Sequence, residues 1–300
     1  TLRTLFPYTT LFRSGKTFGD LFLILFILTL VLTLIESSSV EANALHLNML
    51  SETPIWFFLL FILIPAIYVV KKGTRAITIT TIVGISIIMF AGINLAILTA
   101  KYKHYSYLLP IMANGISKSF ILSIIKALGC YGSIAICLPF LTRIYNKSKI
   151  IKHCIIAILI VIQMEIVANI GLISTFGVAR VLTINYPKLL QTQLVDYFGF
   201  IEGGEFYVML QMVGGWFIKY VLDLSAILIL LQKLSFFNKY WVYIISLFVF
   251  IISYFISAKV LVLYKFLDFY VYFSVISFIL IPTIIFSISL FNNRQKLKNY

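Results

Sequence analysis

The chain has 300 residues, 61% of them apolar and 11% charged, with a mean hydropathy of +1.05. A soluble domain carries about 25% charged residues, so this composition excludes one. The 24 basic residues outnumber the 10 acidic ones, which in so apolar a chain points to basic membrane-flanking loops and not to nucleic acid.

The opening stretch "TLFPYTTLFRS", Thr4 to Ser14, lacks the order of basic region, apolar core and cleavage site that a secretory signal needs. Reverse-translated, it reads codon for codon as the sequencing-adapter oligonucleotide of short-read libraries. Thr1–Ser14 is therefore read as an adapter-derived lead, residues 15–300 as a single transmembrane domain, and the chain as truncated at its N-terminus.

Apolar runs long enough to cross a hydrocarbon core of about 30 Å then recur along the chain. In lipid the backbone must bond to itself, so these runs are helices. Eight are predicted: Phe18–Ile35, Ile55–Val70, Ala76–Ala100, Ser119–Leu141, Ile150–Ser174, Phe206–Leu231, Tyr240–Ile256 and Tyr270–Phe291. The two longest connectors, "ESSSVEANALHLNMLSETP" and "GVARVLTINYPKLLQTQLVDYFGFIEGGE", read as polar loops. The fold class is all-α, a polytopic helical membrane protein.

Charge alternates across these segments. One set of loops holds Lys71, Lys72, Arg75, Arg143, Lys147, Lys149, Lys152, Lys233 and Lys239, continued by Arg294, Lys296 and Lys298 in the tail. The other set holds Glu36, Glu41, Glu52, Asp196, Glu202, Glu205 and Asp268. The positive-inside rule makes the first set, and both termini, cytoplasmic.

No hydrolase elbow, zinc array or phosphate loop is present, so neither enzyme activity, cofactor nor metal is expected. Cys130, Cys137 and Cys154 lack CxxC spacing and read as small core residues. Ionisable groups at membrane depth are the informative ones, since each costs roughly 2.5–3.5 kcal/mol to insert. Lys126 is placed to snorkel. Lys219 and Asp223, four apart on one helix face, read as an internal ion pair or as an ion relay. Glu165 and Asn169 form a second polar stripe, beside Gln163. In "LGCYGS", Gly129 and Gly132 bracket Cys130 and Tyr131 ahead of Ser133. Two glycines weaken a helix by roughly 1 kcal/mol each, which fits either a broken-helix ligand site or close helix packing.

Several stretches carry a likeness: "GKTFGDLFLILFILTL", "SETPIWFFLLFILIPAIYVVKKGTRA", "ALGCYGSIAICLPFL" and "YPKLLQTQLVDYFGFIEGGEFYVMLQMVGGWFIKYVLDL". In order and spacing they resemble the endospore germination permeases, the B subunits of spore germinant receptors within the amino acid–polyamine–organocation transporter superfamily. The chain departs from that pattern at Gly203, where relatives often have Arg, and at Tyr131, where they have an acid.

The resemblance implies a LeuT-like inverted-repeat bundle of ten helices, of which the first two are missing here. It favours a broken-helix ligand site at Gly129, Cys130, Tyr131, Gly132 and Ser133, whose partner, the first helix, is absent. This chain alone is then expected not to bind a germinant. The resemblance also implies a spore inner-membrane sensor of a small nutrient, such as an amino acid, working with an A subunit and a lipoprotein C subunit. The alternative is a secondary transporter of amino acids or polyamines.

Overall fold

The structure is a computed structural model that describes residues 16–111, 115–144, 148–197, 201–234 and 238–287. The adapter-like lead Thr1–Ser14, Lys147 and the tail with Arg294, Lys296 and Lys298 lie outside the described residues. The helices are α1 (Lys16–Asn48), α2 (Ile55–Lys71), α3 (Thr74–Leu98), α4 (Lys118–Tyr131), α5 (Ile150–Phe176), short α6 (Val178–Val181) and α7 (Pro187–Gln193), α8 (Glu205–Lys233), α9 (Trp241–Ser257) and α10 (Val260–Ser274). A two-residue hairpin, β1 (Asp196–Tyr197) with β2 (Ile201–Glu202), precedes α8. α4 continues as a 3₁₀ helix over Gly132–Arg143, and α10 as a π-helix over Val275–Leu280. Among the described residues seven helices are long and apolar enough to span a bilayer, and α9 is an eighth, shorter apolar helix. The chain is a multi-pass helical membrane protein.

Two predicted boundaries move. α1 does not stop at Ile35 but runs 33 residues to Asn48, about 50 Å at 1.5 Å per residue. Its "ESSSVEAN" stretch is buried helix and not a loop. Two of its three serine hydroxyls find an acceptor inside their own helix: Ser37 donates to the Thr33 carbonyl at 2.8 Å and Ser38 to the Leu34 carbonyl at 2.7 Å, while Ser39 is buried without a partner among the described residues. Back-bonding of this kind lets serine sit mid-helix without a free polar group. The last span likewise begins at Val260, ten residues before the predicted Tyr270, and takes Lys265 and Asp268 into the helix.

The serine and threonine stripe of α1 also bonds outward. Thr29 donates to Ser277 at 2.6 Å, and Thr33 shares a hydrogen bond with Tyr270 at 3.2 Å. Ser38 meets Ser253 at 2.8 Å. Lipid tails are as apolar as leucine, so helix association rests on such bonds and on close packing.

α8 is the hub of the bundle. It buries Val221, Leu224, Ile227 and Leu230 against α1, with Leu30, Leu34 and Ile62 in the same core. Its contact with α3 is close because α3 offers glycines: a Cβ on Gly84 would stand 2.4 Å from Ile218 Cδ1. α5 is the outlier, with much of its surface exposed.

The connectors gather at two ends. At one, Asn43 donates to the Ser257 carbonyl at 2.8 Å and accepts from the Tyr186 hydroxyl at 2.7 Å, and the His104 N–H bonds the Ser174 carbonyl at 2.7 Å. At the other, Lys71 donates to the Tyr243 hydroxyl at 2.6 Å. Burial pushes the Tyr186 phenol well above its usual pKa, so it remains a donor across the physiological range.

Replacing Asn43 by Leu removes one bond from α1 to α9 and one to the 178–204 connector. The expected cost is roughly 1–3 kcal/mol, read as a lower melting temperature in detergent. Asn94→Leu, which loses only a bond to the Phe90 carbonyl of its own helix, is expected to leave melting unchanged or raise it.

Candidate functional site

Three groupings emerge from the residues singled out in the sequence. The first is the "LGCYGS" segment, where the chain stays helical but changes its winding. α4 ends at Tyr131, the Gly132 N–H still reaches the Leu128 carbonyl, and the twelve residues that follow are 3₁₀. Runs of 3₁₀ beyond 3–4 residues are uncommon and often mark a hinge or strain. The segment is tightened, not opened.

Its five residues divide between two faces. Gly129 and Gly132 are buried and turn to the last helix. A Cβ on Gly129 would stand 2.4 Å from the Val271 carbonyl oxygen, and one on Gly132 would stand 3.3 Å from Phe278 Cβ. The Ser274 hydroxyl donates to the Gly129 carbonyl at 2.7 Å. Cys130 and Tyr131 are exposed, and Ser133 is half-buried with its hydroxyl on the Cys130 carbonyl at 3.0 Å. The 3₁₀ stretch thus lies on the π-helical stretch Val275–Leu280. A π segment is rare and frequently functional, so two irregular windings face one another.

The second grouping surrounds Lys219. Its ammonium does not bond Asp223 but Glu36 of α1, at 2.5 Å. The extension of α1 past Ile35 brings Glu36 to α8, which the shorter predicted helix could not do. Lys219 remains within Coulombic reach of Asp223. Asp223 is fully buried, and neither of its oxygens has a hydrogen-bond partner among the described residues. Glu41, one turn along α1 from Glu36, is in the same condition. The sequence reading placed Glu36 and Glu41 in a loop and missed both; their spacing from Thr29 and Thr33 along one helix was the available signal.

The third grouping is a cavity of about 460 Å³ between α3 and α5. Glu165 and Asn169 line it with Gln163 and with Gln211 of α8. Asn169 donates to the Glu165 carbonyl at 2.9 Å and to its carboxylate at 3.4 Å. The paired stripe expected on α5 is therefore present and faces a cleft. Among the described residues it makes no hydrogen bond to Lys219 or to the 3₁₀ segment.

Two further corrections concern single residues. Lys126 is ion-paired with Asp268 at 2.7 Å across α4 and α10, with the Tyr272 ring 5.9 Å away. The early start of the last helix supplies that partner, so Lys126 is not simply snorkelling. Cys130, Cys137 and Cys154 are free but exposed, not core. Gly203 has φ +78°, a conformation that glycine adopts freely and a side-chain-bearing residue does not.

Comparison with known proteins gives one match: a family model described as "Spore germination protein" covers residues 4–260. No curated protein and no solved structure matches the chain.

Lys219 and Glu36 form a partly buried pair, so removing one partner costs less than the roughly 3–5 kcal/mol of a fully buried one. Lys219→Met leaves two neighbouring carboxylates, Glu36 and Asp223, without their cation, whereas Glu36→Gln leaves Lys219 with Asp223. Lys219→Met is therefore expected to lower the melting temperature more than Glu36→Gln. The double variant is expected to fall between the two.

Proposed function

The chain belongs to the spore germination protein family, and from that premise we propose that it is the nutrient-sensing, permease-like subunit of a germinant receptor in the spore inner membrane. It senses a small nutrient such as an amino acid and performs no catalysis. Its partners are an A subunit and a lipoprotein C subunit, its termini face the cytoplasm, and ion release is its output.

One observation carries the mechanism: the 3₁₀ run of Gly132–Arg143 packed against the π run of Val275–Leu280. Helices wound away from α geometry sit close in energy to alternative windings. A nutrient that binds one winding better than the other shifts the balance by its differential affinity and by no more. Cys130, Tyr131 and Ser133, on the outward side of that hinge, are the residues placed to contact the nutrient. Gly129 and Gly132 serve the same site by allowing the last helix to approach.

Spores lacking the gene are expected to lose germination triggered by one class of small nutrient, with the response restored by the gene in trans. Tyr131→Ala is expected to raise the nutrient concentration for half-maximal germination at least tenfold, at unchanged receptor level by immunoblot. Coupled amino acid uptake by the isolated chain in vesicles, with no A or C subunit, would instead make it a transporter.

A further inference from the structure

At one end of the α3–α5 cavity stand two lysines, Lys103 from the turn after α3 and Lys188 from α7. Neither has a carboxylate. The two ion pairs found among the described residues are Lys126–Asp268 and Lys219–Glu36. Lys103 donates only to the Ala96 carbonyl, at 3.3 Å, and Lys188 to the Gln191 Oε1, at 3.0 Å. The first passes Gly171 of α5, where a Cβ would meet Lys103 Cε in ordinary contact at 3.6 Å. Burial, with the Lys103 charge adding to it, brings the Lys188 ammonium down to about 8, and burial lowers Lys103 as well. Two partly buried like charges turned into one cavity cost stability, and no carboxylate pairs with either among the described residues.

We propose that this cavity is a binding site for a small organic carboxylate, held by its two oxygens between Lys103 and Lys188. A carboxylate accepts charge-assisted bonds from two ammonium groups at once, which removes the repulsion between them. The volume of about 460 Å³ lies within the range of small-molecule pockets. An inorganic anion would fill little of it, since a water-sized particle accounts for roughly 30 Å³. Further along α5, the amides of Gln163 and Asn169 and the Glu165 carboxylate offer bonds to the distal part of the same molecule. The site shares no residue with the 3₁₀ segment and does not rest on the sensing role proposed for it.

The test uses the purified chain in nanodiscs of zwitterionic lipid, with melting temperature read against succinamate, whose distal amide can donate to Glu165, the neutral diamide succinamide, inorganic phosphate and chloride. Succinamate is expected to raise the melting temperature saturably, and the other three are not. Lys103→Gln and Lys188→Gln are each expected to weaken that response at least tenfold. Lys188→Gln is expected to melt no lower than the parent without ligand, because it removes a desolvated cation, so lost binding is not lost folding. Between pH 7 and pH 9 the response is expected to decline as Lys188 loses its proton, Lys103 and Glu165 being the other charged groups that line the cavity. Tyr131→Ala is expected to keep the response, which separates this site from the proposed sensing segment. The absence of any saturable shift would overturn the proposal. So would a shift unchanged in both lysine variants, or one that phosphate and chloride reproduce.

Discussion

Every polar group that enters a bilayer must find its partner inside the protein, and this requirement shapes the bundle. α1 carries Thr29, Thr33, Ser37, Ser38 and Asn43 along its length and would be costly alone in lipid. Back-bonding settles part of that demand, and bonds to Ser277, Tyr270, Ser253 and Ser257 settle the rest. The same bonds fix where α9 and α10 lie. α8 then closes on the opposite side through apolar packing and the Lys219–Glu36 pair.

That arrangement places charge where it can act. Glu36, Lys219 and Asp223 form a group with one cation and two acids, and Asp223 has no hydrogen-bond partner among the described residues. The orphan carboxylates at Asp223 and Glu41 are the buried charged groups in this core most sensitive to a change in helix packing. The 3₁₀ run lies against α8 as well as the π run, so the movement proposed for the irregular pair would reach this hub. A receptor subunit needs such a link: a bistable element that a ligand biases, joined to a charged centre that responds.

The spans were legible in the sequence because hydropathy reports length directly, and all eight predicted segments correspond to helices. What misled was polarity. "ESSSVEAN" has the composition of a loop, yet Ser37 and Ser38 bond to carbonyls one turn back and need no water. The partner of Lys219 followed from that error, since only the longer α1 delivers Glu36. "LGCYGS" was legible as irregular from its paired glycines, but whether the helix opens or tightens depends on the last helix lying against Gly129, some 140 positions away in sequence. Lys103 and Lys188 carried no local signal, because their significance lies in sharing one cavity and lacking an acid.

The central claim is that sensing works through movement between the 3₁₀ and π segments. It is tested most directly by tying them together. The Gly132 Cβ position lies 3.3 Å from Phe278 Cβ, close to the 3.5–4.5 Å that a disulfide spans. Spores carrying G132C and F278C, with spores carrying either substitution alone as controls, would be exposed to nutrient before and after treatment with a thiol reductant. The account predicts little germination while the bridge is closed and recovery once it is reduced. A full nutrient response from spores in which the bridge is shown to be closed would contradict it.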